Sequence, residues 1–107
     1  MDLNKLDEAK TMYARAFAGQ KKTLGPLHRE TLRTLSNLGL LLQKRGDLEA
    51  ARDIYEQALA GKEKALGINH SSTFNTANML TILLRTEGKT AEADALVQRF
   101  SAKKKIN

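Results

Sequence analysis

Apolar positions recur at steps of three and four along almost the whole chain, the period of helices buried on one face. The clearest run is residues 34–59, TLSNLGLLLQKRGDLEAARDIYEQAL. Leu35, Leu38, Gly39 and Leu42 mark one helical face, and Leu48, Ala51, Ile54, Tyr55, Ala58 and Leu59 mark a second. Between them, Gly46 can take the left-handed conformation that ends a helix, and Asp47 offers a side-chain oxygen to cap the next. The pattern predicts a helical hairpin. Small Gly39 and Ala51 lie in its apolar stripes and let two backbones approach closely. A lone hairpin leaves its apolar faces uncovered, so it needs neighbours.

The same spacing supplies them. Residues 3–24 read as a helix with Leu6, Ala9, Met12, Tyr13, Ala16, Phe17 and Leu24 on its stripe. Asp2 or Asn4 is its expected cap, and Gly25-Pro26 its end, because proline cannot continue a helix. Further helices are predicted over 29–45, 48–66 and 71–87, with Gly67 and Gly88 closing the last two. Phe74, Ala77, Leu80, Leu83 and Leu84 form the fourth stripe. A fifth helix starts near Thr90 and carries Ala93, Leu96, Val97 and Phe100. The fold class is all-α, with about five helices.

Shifted by 42 residues, the chain overlays on itself without a gap. Leu6 falls on Leu48, Ala9 on Ala51 and Ala93, Tyr13 on Tyr55, Gly19 on Gly61, and Gly25 on Gly67. His28 falls on His70, Thr31 on Thr73, Thr34 on Thr76, Leu38 on Leu80, Leu42 on Leu84, and Gly46 on Gly88. Self-similarity at a fixed period is the mark of a helical solenoid.

Taken in order, Leu38, Gly39, Leu42, Gly46, Leu48, Ala51, Tyr55 and Ala58 resemble the tetratricopeptide repeat. That repeat is usually ~34 residues long, so the present period lengthens the second helix of each hairpin by about two turns. The segments KKTLGPLHRETLRTLSNLGLLLQKRGDLEAA and KEKALGINHSSTFNTANMLTILLRTEGKTAEA are similar to the kinesin light chain type, in which E-K-x-L-G-x-x-H-P-x-T joins successive hairpins. Arg29 and Ser71 stand where that family usually has proline. Thr81 replaces the small residue matching Gly39, and Val97 the aromatic matching Tyr55. The resemblance implies a right-handed α-solenoid of antiparallel hairpins forming a single domain over 1–107. Its parts would be an orphan second helix (3–24), two hairpins (29–66 and 71–103) and a frayed basic tail (104–107).

Composition narrows the setting. With 41% apolar and 28% charged residues, the chain fits an elongated helical protein with much surface. The absence of cysteine excludes disulfides and thiolate metal sites. No apolar run reaches the ~18 residues needed to cross a bilayer, and the first residues, MDLNKLDEAK, are not a signal peptide. A cytoplasmic protein with no membrane partner is expected. The net charge of +6 raises a nucleic-acid reading. Yet basic residues are spread over every helix, many beside acids, as in Arg52 and Glu56. Aromatic content of 5% leaves few platforms for base stacking. Lys21-Lys22, Lys62–Lys64 and Lys103–Lys105 are instead edge patches that favour acidic partners.

Catalytic chemistry finds no constellation. His28 and His70 each precede a helix start, where they read as caps. Equivalent positions in adjacent repeats lie ~10 Å apart, too far to converge on one metal. Asp7, Glu8, Glu49 and Glu92 sit in first turns, where negative charge complements the helix dipole. No nucleophile elbow, phosphate loop or metal-spaced cluster is present. No catalytic residue, cofactor or metal is therefore expected. Gly19 and Gly61 lie inside long helices, where each costs ~1 kcal/mol against alanine. Close helix packing or a kink would explain them.

The resemblance implies instead a concave groove, lined by the first helix of each hairpin, that binds a peptide or helical partner. Mapped onto this sequence, its lining is Arg33, Ser36, Asn37, Leu40, Gln43 and Lys44, then Asn75, Asn78, Met79, Ile82, Arg85 and Thr86. Asparagine can pair both backbone groups of an extended peptide, the cations suit acidic residues, and the apolar groups suit anchors. The expected function is a non-catalytic protein–protein interaction module with a protein or peptide partner, acidic in character. One alternative is a self-associating segment, a homo-oligomer formed through its terminal helices. A nucleic-acid or acidic-surface binder is the weaker alternative.

Overall fold

The computed structural model describes residues 3–105, as five α-helices joined by short turns: α1 (Leu3–Thr23), α2 (Arg29–Arg45), α3 (Leu48–Leu66), α4 (Ser71–Thr86) and α5 (Thr90–Lys105). Each packs chiefly on the next in sequence. The result is a slab of 44 × 34 × 16 Å.

The turns follow from particular residues. Gly46 stands at φ 86°. Its N–H donates to Gln43 O at 3.0 Å and that of Asp47 to Leu42 O at 2.9 Å, a paired closure that satisfies the last carbonyls of α2. Gly88 and Lys89 repeat it at the end of α4, donating to Arg85 O and Leu84 O. His28 and His70 cap α2 and α4. Each Nδ1 accepts a backbone N–H two residues on, from Glu30 at 3.1 Å and Ser72 at 3.0 Å.

Asp47 departs from expectation. It occupies the N-cap position of α3 but makes no side-chain cap bond. Arg45, two residues back, binds its carboxylate instead and also reaches Asp7 of α1 at 2.6 Å. A guanidinium with several donors competes better for that carboxylate than one backbone amide. Arg52 likewise turns from Glu56 to Glu87, at 3.1 Å, tying α3 to the end of α4. Asn4 lies inside α1 rather than capping it, Leu24 lies just past its end, and Asp2 falls outside the described residues. At the other end α5 continues through Lys105, into the stretch expected to fray, while residues 106–107 lie outside the described part.

The core runs along the shared faces of α2 to α5 and includes Leu38, Leu42, Tyr55, Leu59, Leu80, Leu83 and Phe100. Ala51, Tyr55 and Ala58 are wholly buried. A Cβ placed on Gly39 would lie 2.8 Å from Tyr55 Cε1, so the missing side chain is what lets the ring lie against α2. At the next repeat this pair changes together. Buried Thr81 fills the space matching Gly39, its hydroxyl donating to Ala77 O at 2.8 Å, and the smaller Val97 stands for the tyrosine. Phe100, matching Ala58, is buried edge-on against Phe74 with ring centroids 5.5 Å apart.

Helix α1 is covered less. Leu6 is buried and Tyr13 packs partly on the core, but Met12, expected on the stripe, is 69% exposed. Ala16 is exposed where its counterpart Ala58 is buried. The two helical glycines separate for the same reason. A Cβ on Gly61 would meet Leu32 Cδ2 at 2.6 Å, whereas one on Gly19 would meet nothing within 4 Å. Close packing explains the first and not the second.

Candidate partner-binding groove

The predicted groove residues lie on α2 and α4, between the stripes that pack inward. Leu40 is 38% exposed and Ile82, its counterpart one period on, 57% exposed. Arg33, Asn37, Lys44, Asn75, Asn78, Arg85 and Thr86 are also exposed, while Ser36 and Gln43 are half-buried. Met79 differs: it packs partly against the core, which accounts for an apolar residue there without a ligand.

Several of these side chains have intramolecular partners that the sequence did not announce. Arg33 pairs with Glu30 at 2.7 Å and Arg85 with Asp94 of α5 at 2.9 Å. Both bridges are solvent-exposed, a class worth ~0–1 kcal/mol, so either can be exchanged for a partner's carboxylate. Gln43 accepts the Tyr55 hydroxyl proton at 3.2 Å, which gives it a structural duty. Burial pushes the Tyr55 phenol up to about 12, because its ionised form would be stranded away from water.

The structure gathers Arg33, Ser36 and Asn37 at one place. They line a cleft of about 360 Å³ bounded by α2, the last turns of α3 and the start of α4. Ser72 also lines it, as do Arg29, Lys62 and His70. None of these four was expected there, because they come from separate parts of the chain. Lys62 is 8% exposed, and its Nζ donates to Thr76 Oγ1 at 2.8 Å. Burial lowers its pKa from the usual lysine range. Asn78 lies elsewhere, at a cleft between α4 and α5 with Phe74, Thr81 and Val97. A further cleft of about 420 Å³, floored by Leu59 and Leu80 and rimmed by Glu56, Glu63 and Glu92, opens between α3 and α5.

Among the described residues, no group of three histidine or acidic side chains could hold a metal ion. No described helix is long and apolar enough to cross a membrane.

The family model for the tetratricopeptide repeat matches residues 1–64 and again 41–101. No curated protein matches the sequence.

Proposed function

Because the chain belongs to the tetratricopeptide repeat family, whose repeats generally mediate protein–protein interactions, we propose that it is a non-catalytic module holding a peptide or helix in a concave groove lined by α2 and α4. One observation carries this reading. Leu40 and Ile82 occupy the same repeat position on successive first helices, and both remain open to solvent. Packing within the hairpins leaves them over, and two apolar anchors at one repeat spacing suit a partner laid across both helices. Exposed Asn37 and Asn75 on the same two helices can pair a peptide backbone. Lys44 and the exchangeable Arg33 and Arg85 give the groove its preference for acidic partners. The 42-residue period and the L-G-x-x-H segments support the kinesin light chain type of repeat.

The test is retention of peptides from a random library on the immobilised chain, with sequencing of what is kept. Leu40→Asp with Ile82→Asp should abolish retention while leaving the helical circular dichroism signal unchanged, since both residues are exposed. Undiminished retention by that double variant would place the binding elsewhere. Exposed Met12 and the open position at Gly19 favour a second reading, self-association through α1. Sedimentation at rising concentration decides it: a strict monomer sinks that reading.

A further inference from the structure

The cleft between α2, α3 and α4 has a composition that the repeat does not require. One period on, Arg29 becomes Ser71, Arg33 becomes Asn75, and Asn37 becomes Met79, while Leu38, Leu42, Gly46 and Ala51 of the framework recur as Leu80, Leu84, Gly88 and Ala93. Packing therefore does not call for cations at these positions. Nonetheless Arg29, Arg33 and Lys62 converge on one cleft of about 360 Å³, and no carboxylate lines it. Glu30 stands beside it, bound to Arg33, so among the described residues two positive charges, on Arg29 and Lys62, have no carboxylate partner.

The donors are also more numerous than the molecule uses. Lys62 gives one N–H to Thr76 and keeps two. The Ser36 hydroxyl oxygen is buried with no hydrogen-bond partner, an arrangement that is costly unless something satisfies it. His70 Nδ1 accepts the Ser72 amide, so its ring proton sits on Nε2. Arg29 and Arg33 add guanidinium forks. A single carboxylate has two acceptor oxygens and one negative charge. A phosphate monoester carries close to two charges and three strong acceptor oxygens. The second matches both the charge and the donor count.

We propose that this cleft binds the phosphate group of a phosphorylated side chain on the partner peptide. The inference rests on the groove reading above and names what one end of the groove recognises. Walls formed by Leu32 and Leu66 would take the carbon stem of that side chain.

The experiment compares three peptide libraries of identical degenerate flanks whose fixed central residue is phosphoserine, serine or glutamate, binding to the full chain at constant ionic strength. The phosphoserine library should bind at least ~10-fold tighter than both others, the scale of one added charged hydrogen bond. Inorganic phosphate should compete with it and shift the amide resonances of Ser36 and Ser72. Arg29→Gln with Arg33→Gln, both exposed, should erase the preference without altering the melting temperature, and Lys62→Gln should erase it too. Lys21→Gln with Lys22→Gln removes equal charge from α1, outside the cleft's lining, and should leave the preference intact. Equal binding of all three libraries would overturn the phosphate inference and uphold the groove. A preference lost equally in the Lys21/Lys22 variant would reduce it to net charge and overturn it. No binding by any library would overturn both.

Discussion

A methyl group added at Gly39 would press on the Tyr55 ring, with the nearest ring carbons 2.8 and 2.9 Å away. That ring is wholly buried and tethered through its hydroxyl to Gln43, so it has no room to withdraw. Gly39→Ala should destabilise the fold by ~1–3 kcal/mol, read from urea midpoints. In a Tyr55→Leu background the penalty should shrink, and a fully additive pair would show that the ring is not the obstacle. Gly19→Ala should act with the opposite sign. Its added carbon meets nothing, so the helix gains up to ~1 kcal/mol of propensity. Tyr55 also sets a pH limit. Its folded pKa of about 12 lies above the ordinary 10.0, so its contribution is fully present below pH 10 and lost as pH rises towards 12. Tyr55→Phe should flatten that alkaline loss, and an unchanged alkaline slope would assign it to other groups.

At the scale of the element, helix ends were legible wherever a single residue dictates them. Gly46 takes a φ of 86°, which costs an ordinary side chain ~1–2 kcal/mol. Gly46→Val should lower the melting temperature by that equivalent, and an unaltered melt would mean the α2–α3 turn can form another way. The histidine caps were legible for the same reason: one side-chain acceptor sits next to one free amide. Asp47 was not, because its cap competes with an arginine two residues away, and the winner depends on side-chain geometry that spacing does not contain. The Thr81–Val97 exchange was visible as two departures from the repeat. That they share one cleft emerges only when α4 and α5 are packed. The cationic cleft was the least legible feature, since Lys62 and His70 join Arg29 and Arg33 only across the α3–α4 turn. A signal did exist. Arg29 and Arg33 break the period at positions where Ser71 and Asn75 show that the framework accepts small polar residues.

Across the whole molecule, contacts run between neighbours in sequence, α1 on α2, α2 on α3, α3 on α4 and α4 on α5. Stability in such an array is approximately a sum of nearest-neighbour interfaces, and the ends open before the middle. The two ends are not equal. Helix α5 buries Ala93 and Phe100, gains the Phe74 edge contact, and is tied to α3 by Arg99 and Glu63 at 3.1 Å. Helix α1 buries Leu6, holds Tyr13 only partly, and is tied to α2 by the ion pair from Asp7 to Arg45. Native-state hydrogen exchange should therefore rank the helices, with α1 exchanging first, α5 next, and α3 and α4 last. Leu6→Ala should speed exchange throughout α1 while leaving the amides around Tyr55 and Leu83 slow, because the α2–α3–α4 interfaces do not depend on it. Were all five helices to exchange together before and after that substitution, the chain would be one cooperative unit, and the nearest-neighbour account of its stability would fail.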